Sequence, residues 1–109
     1  MRHEKGPTDD PVLTRFKAAL DAIYGDQIAK VVPFGSRARG DARADSDYDV
    51  AVFLKSLPDP RKEVERLADL RVDFLVETGA FFDTKLFPAI DYRGRTPLMH
   101  EIRRDGVDL

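Results

Sequence analysis

Between Asp49 and Lys55 the chain runs Val-Ala-Val-Phe-Leu, an apolar stretch bracketed by charges. It is far too short to span a membrane, and it gives neither face to water. It therefore predicts a strand, Tyr48 to Lys55, in the centre of a sheet covered on both sides. The rest of the sequence has to supply that cover. A central strand with helical patterns before and after it sets the expectation of a layered α/β (α+β) domain.

The flanking segments fit. Asp10 and Pro11 form a helix start, cap followed by proline, and Val12, Leu13, Phe16, Ala19, Leu20 and Ile23 recur at helical spacing before Gly25. Gln27 to Phe34 reads as a first strand. Pro33 inside it has no N–H for a ladder, which places it at the strand exit or on an unpaired edge. Ser36 to Arg39 predicts a helical turn ended by Gly40, and Asp41 to Ser46 a loop. Asp59-Pro60 repeats the cap-plus-proline signal ahead of Val64, Leu67, Ala68 and Leu70. Arg71 to Glu77 alternates and reads as a third strand, with Val72, Phe74 and Val76 on one face and Asp73 on the other. Residues 79–91 fit a helical turn, a short strand or a covering loop. Thr96-Pro97 opens a last helix through Leu98, Met99 and Ile102, closed by Gly106. The expected order is α-β-α-β-α-β plus a C-terminal helix, on a small mixed sheet, as a single domain over 1–109 with a polar, frayed stretch at 1–9.

Composition narrows the function classes. The formal net charge is −2, which gives no global electrostatic case for binding long nucleic acid. The chain has no cysteine, which removes thiol chemistry and fits a cytoplasmic setting. The first residues carry no apolar core of a signal peptide, and no membrane association is expected. His3 and His100 are isolated and read as surface residues.

The chemistry concentrates in FGSRARGDARADSDYDVAVFL, Phe34 to Leu54. Gly35-Ser36 ends the first strand in a tight turn whose backbone amides can face phosphate oxygens. Gly-Ser alone would be an ordinary strand-to-helix turn. Asp47 and Asp49, downstream of it, change that. Two carboxylates at period two on a strand start share a face, about 6.5 Å apart at Cα. They repel each other unless a cation lies between them, and hard oxygen donors suit Mg²⁺. Tyr48 between them points to the opposite face. Asp73 is an acid in an otherwise apolar stretch and needs a partner, either a metal or an arginine such as Arg71 or Arg37. Asp83 and Asp91 are weaker acidic candidates. Arg37, Arg39 and Arg43 lie beside the phosphate turn, where they could neutralise a triphosphate or simply be solvated.

Gly35-Ser36, ten residues, then Asp47-x-Asp49 followed by Val50 resembles the signature of the DNA polymerase beta nucleotidyltransferase superfamily. The fuller string, with Gly35, Ser36, Ala38, Arg39, Gly40, Ser46, Asp47 and Asp49, is similar to the small bacterial members, the minimal nucleotidyltransferases. The resemblance implies the nucleotidyltransferase fold and transfer of a nucleoside monophosphate, AMP from ATP, to a hydroxyl with release of pyrophosphate. It implies Gly35, Ser36 and Arg39 at the nucleotide, and two Mg²⁺ ions held by Asp47, Asp49 and a third-strand carboxylate, Asp73. The chain's brevity adds a partner. Small proteins of this kind resemble the antitoxins of MNT–HEPN toxin–antitoxin pairs, which add AMP to a tyrosine of a HEPN ribonuclease toxin. Two other readings stay open: a small-molecule transferase of the aminoglycoside-modifying kind, and a non-catalytic binding antitoxin or nucleotide sensor.

Overall fold

The computed structural model describes residues 10–40, 42–43 and 46–109. The expectation of a frayed start at 1–9 lies outside the described residues, as do Asp41, Ala44 and Asp45 of the expected loop. Four helices and three strands follow in the order α1 (Pro11–Tyr24), β1 (Ile28–Phe34), α2 (Gly35–Arg39), β2 (Tyr48–Leu54), α3 (Pro60–Thr78), β3 (Phe82–Pro88) and α4 (Pro97–Asp105), with 3₁₀ turns at Gly25–Gln27 and Ala89–Arg93. The sheet order is β1-β2-β3, so the apolar run does occupy the central strand. β1 pairs with it antiparallel, Val32 opposite Ala51 and Phe34 opposite Asp49. β3 pairs with it parallel, Asp49 opposite Asp83 and Val52 opposite Leu86. α3 makes the crossover that a parallel neighbour requires.

Alternation along β2 divides the core in two. Tyr48, Val50, Val52 and Leu54 face α1 and α3, where they meet Leu13, Phe16, Leu20, Leu67, Phe74 and Phe82. Phe16 stacks on Phe82 with ring centroids 3.9 Å apart, Tyr48 stacks on the same ring at 4.6 Å, and Phe74 meets Phe16 edge-on at 5.1 Å. Ala51 and Phe53 face the other way, onto Met99 and Ile102 of α4 with Val32 and Phe34.

The helix starts work as the sequence indicates. The Asp10 carboxylate accepts from the amides of Val12 and Leu13, Asp59 from Lys62, and Thr96 from Met99. Pro33 lies within β1. Its carbonyl accepts from Val107, and Val31 accepts from Leu109, so the C-terminal residues run antiparallel along the outer edge of β1. N–H and C=O of one strand residue point the same way, so the amide that Pro33 lacks falls on that outer edge and not on the ladder to β2.

The third strand is not where alternation in the sequence places it. Arg71 to Glu77 is the second half of α3, which runs unbroken to Thr78. No breaker stands between Pro60 and Gly79, and Gly79 takes the left-handed φ of 75° that closes a helix. Leu67 and Phe74, two turns apart, are the residues that bury, whereas Val72 and Val76 are 58% and 80% exposed. The strand is Phe82–Pro88 instead, in the stretch the sequence left undivided. There Phe82 and Leu86 pack toward α1 and α3, and Phe87 toward α4.

Candidate active site

β1 ends at Phe34, and Gly35 turns the chain into α2 with φ 75°, a conformation that disfavours a side chain. Space demands glycine as well. A Cβ at this position would run into Oδ2 of Asp49. The backbone of the Gly35 turn therefore lies directly against the second aspartate of the Asp-x-Asp pair. Ser36 follows as the second residue of α2, and Gly40 caps that helix in the left-handed region, its amide donating to the Ser36 carbonyl.

Asp47 stands exposed just before β2, and Asp49 is half-buried as the strand's second residue. Odd-numbered residues of β2 face α4, so Asp49 belongs to that side of the sheet. Its register partner on the parallel strand is Asp83. Neighbouring strands lie about 4.8 Å apart, so two carboxylates project side by side from the starts of β2 and β3. Burial holds the Asp49 carboxyl above the ordinary aspartate range, and the negative charges of Asp83, Asp47 and Glu101 push it the same way, with Lys85 opposing. Lys85, two residues along β3, reaches Asp83 at 3.6 Å.

Asp73, the expected third carboxylate, is not part of this group. It sits exposed on α3, in a shallow depression with Ile23, Arg66, Asp69 and Leu70, in the helical layer on the opposite side of the sheet from Asp49. The third-strand position that Asp73 was expected to fill is taken by Asp83. Once α3 is read through to Gly79, the alternation of Phe82, Thr84 and Leu86 with Asp83, Lys85 and Phe87 marks the strand and its acid. Nothing in the local pattern of α4 marks Glu101.

Arg39 extends from the end of α2 to Asp105 of α4 at 3.4 Å. Arg37 turns toward the loop and the ring of Tyr48. Tyr48 donates its hydroxyl to Asp10, and burial together with that carboxylate raises its pKa to about 12.

The donor set suits a hard cation. Asp49 and Asp83 offer carboxylate oxygens at adjacent register positions, with their ionised forms in mutual repulsion. Among the described residues no three such side chains already converge as a finished shell.

Residues 13–93 match the model of the nucleotidyltransferase domain family. The chain belongs to that family, as a nucleotidyltransferase of the minimal type, and its activity is nucleotidyl transfer. Two relatives bear names that go further. MJ0141 of Methanocaldococcus jannaschii, named as a protein adenylyltransferase, is 27% identical over 99 residues, 90% of this chain and 95% of its own. The protein adenylyltransferase MntA of Thermococcus cleftensis is 32% identical over 76 residues, 64% of this chain and 75% of its own. A solved minimal nucleotidyltransferase superposes with a TM-score of 0.60 at 26% identity, covering 99% of this chain and 100% of that one. A toxin–antitoxin crystal structure with AMP-PNP gives 0.59 at 17% identity, over 86% of this chain and 69% of the other, and so shares the fold. Among the described residues no helix is long and apolar enough to cross a membrane.

Proposed function

We propose that the protein transfers AMP from ATP to a hydroxyl of a partner protein, acting as an antitoxin on a tyrosine of a HEPN-type ribonuclease toxin in the cytoplasm. The observation that carries the transfer site is the placing of Gly35 against Asp49 with Asp83 beside it in the parallel register. The names of the two relatives support a protein acceptor.

In this reading Gly35, Ser36 and Arg39 hold the β- and γ-phosphates, with Arg39 trading Asp105 for a phosphate oxygen. Asp47, Asp49 and Asp83 would hold Mg²⁺, two ions by family resemblance, which supply charge neutralisation at the phosphates when bound. Asp83 replaces Asp73 in the third position. The acceptor oxygen attacks the α-phosphorus, the bond from that phosphorus to the bridging α–β oxygen breaks, and pyrophosphate leaves. Asp83, half-buried on an outer strand of the sheet, takes the hydroxyl proton. The chain's own contribution is positioning and electrostatics, since the reacting phosphate needs little covalent help.

The test is mass spectrometry of the neighbouring gene's product after incubation with this protein, Mg²⁺ and each nucleoside triphosphate in turn. A gain of one or more AMP units with ATP, absent with Asp49→Asn, is the expected result. A stable complex with no mass gain would leave a binding antitoxin in its place. Neither complex nor gain would move the acceptor to small molecules.

A further inference from the structure

Arg37 lies in the phosphate turn, where a cation invites assignment to the nucleotide. Its contacts point elsewhere. Nε donates to the Ser46 carbonyl at 2.9 Å and Nη2 to the Arg43 carbonyl at 3.4 Å. The guanidinium lies 4.0 Å from the centroid of the Tyr48 ring. Tyr48 faces the α1/α3 side of the sheet, away from Asp49 and Asp83.

Both objects of this grip are fixed in turn. The Ser46 hydroxyl accepts from the Arg43 amide at 2.8 Å, and the Ser46 amide donates to the Arg43 carbonyl at 3.0 Å, so these two residues hold each other just ahead of Asp47. The Tyr48 hydroxyl donates to Asp10, whose other oxygen caps α1 through Val12 at 2.9 Å and Leu13 at 3.3 Å. The Tyr48 ring rests on Phe82, the residue immediately before Asp83. Asp47 is therefore held between two clamped neighbours, Ser46 and Tyr48. The same brace reaches the starts of α1, β2 and β3.

We infer that Arg37 is a positioning residue, which sets the spacing of Asp47, Asp49 and Asp83 from behind the sheet through Tyr48 and the paired Arg43 and Ser46, and does not bind the nucleotide phosphates. Only arginine suits the position. It has a planar face to lie on an aromatic ring and a fork of donors for two carbonyls, where lysine is a point charge on a flexible stem. The inference rests on the cation reading of the three aspartates proposed above.

Mn²⁺ binding to the nucleotide-free protein, followed by electron paramagnetic resonance, gives an affinity that depends on how the carboxylates are placed. With Arg37→Lys, Mn²⁺ affinity should fall about tenfold, as for loss of a group that orients ligands from behind. In steady-state transfer, kcat should fall by a similar factor while KM for ATP stays within about twofold, and excess divalent cation should restore part of kcat. An unchanged Mn²⁺ affinity with a raised KM for ATP would make Arg37 a phosphate ligand and overturn the inference. So would a variant equal to wild type in both. If Arg37→Lys fails to fold, Arg37→Gln keeps a side-chain donor for one carbonyl and drops the cation over the Tyr48 ring. A measurable loss of Mn²⁺ affinity in it supports the brace, and wild-type affinity overturns it. A wild-type protein that binds no Mn²⁺ is a separate outcome, and it removes the cation reading and this inference together.

Discussion

The two faces of the sheet are built for different ends. On the α1/α3 side, two long helices press an aromatic cluster of Phe16, Phe74, Phe82 and Tyr48 against the strands. On the other side one short helix, α4, covers Ala51 and Phe53, and the strand starts beyond it carry half-buried acids. Like charges gathered at Asp49 and Asp83 oppose folding, so the stabilising burial has to come from elsewhere. It comes from the reverse of the same strands. Residues one apart on β2 and β3, Tyr48 beside Asp49 and Phe82 beside Asp83, divide the two duties.

That division can be broken from either side. Phe16→Ala removes the ring stacked on Phe82 and should cost about 3–5 kcal/mol, read by chemical denaturation. The fraction still folded should retain its turnover. Asp49→Asn should do the reverse. Turnover should fall on the order of 10³-fold, about 4 kcal/mol of transition-state stabilisation, while the melting temperature holds or rises. Asp83→Asn should follow it, and Asp73→Asn, on the stabilising side, should leave the rate within about twofold. A silent Asp83→Asn beside a dead Asp73→Asn would overturn the assignment of faces.

The pH dependence sharpens the same contrast. Asp49 has its pKa raised in the folded state, so its contribution to stability is present at low pH, below the unfolded value. It is lost as pH rises through the raised folded value. Wild type should therefore fall behind Asp49→Asn in melting temperature as pH climbs toward neutrality. The two should converge in acid. A gap that widens on acidification would contradict the crowding of negative charge at this position. The smallest effect is expected at the sheet's edge, where Val107→Pro deletes one backbone hydrogen bond to Pro33. That should cost about 1 kcal/mol in a denaturation midpoint and leave transfer unchanged.

Much of this arrangement was legible in the residues. β2 announced itself as central because its apolar run left no face for water. Gly35 and Asp49 were legible as motif positions, though their mutual contact appears only when two elements meet. Pro33 was legible as a residue with a missing donor, and the C-terminal strip beside it shows which edge the gap faces. The failure at Arg71–Glu77 has a plain cause. Val72, Phe74 and Val76 alternate, but period two over a few residues also fits a helix that exposes some of its apolar side chains. Leu67 to Phe74 and the stop at Gly79 carried the helical signal. Misplacing β3 set Asp73 beside Asp49 in place of Asp83, the residue that the parallel register puts there. The brace through Arg37 was invisible because it joins main-chain carbonyls, which have no letter in the sequence.

The parallel pairing of β2 with β3 sets a rule for how this gene can vary. Asp83 faces its partner only because α3 and the turn after it deliver β3 in one register. Substitutions on the exposed side of α3 leave that register alone. A single codon gained or lost between Lys55 and Phe81 that β3 absorbed by sliding one place would turn Asp83 toward the aromatic cluster and Phe82 toward the acids. In a deep mutational library the crossover should tolerate many replacements and almost no change of length.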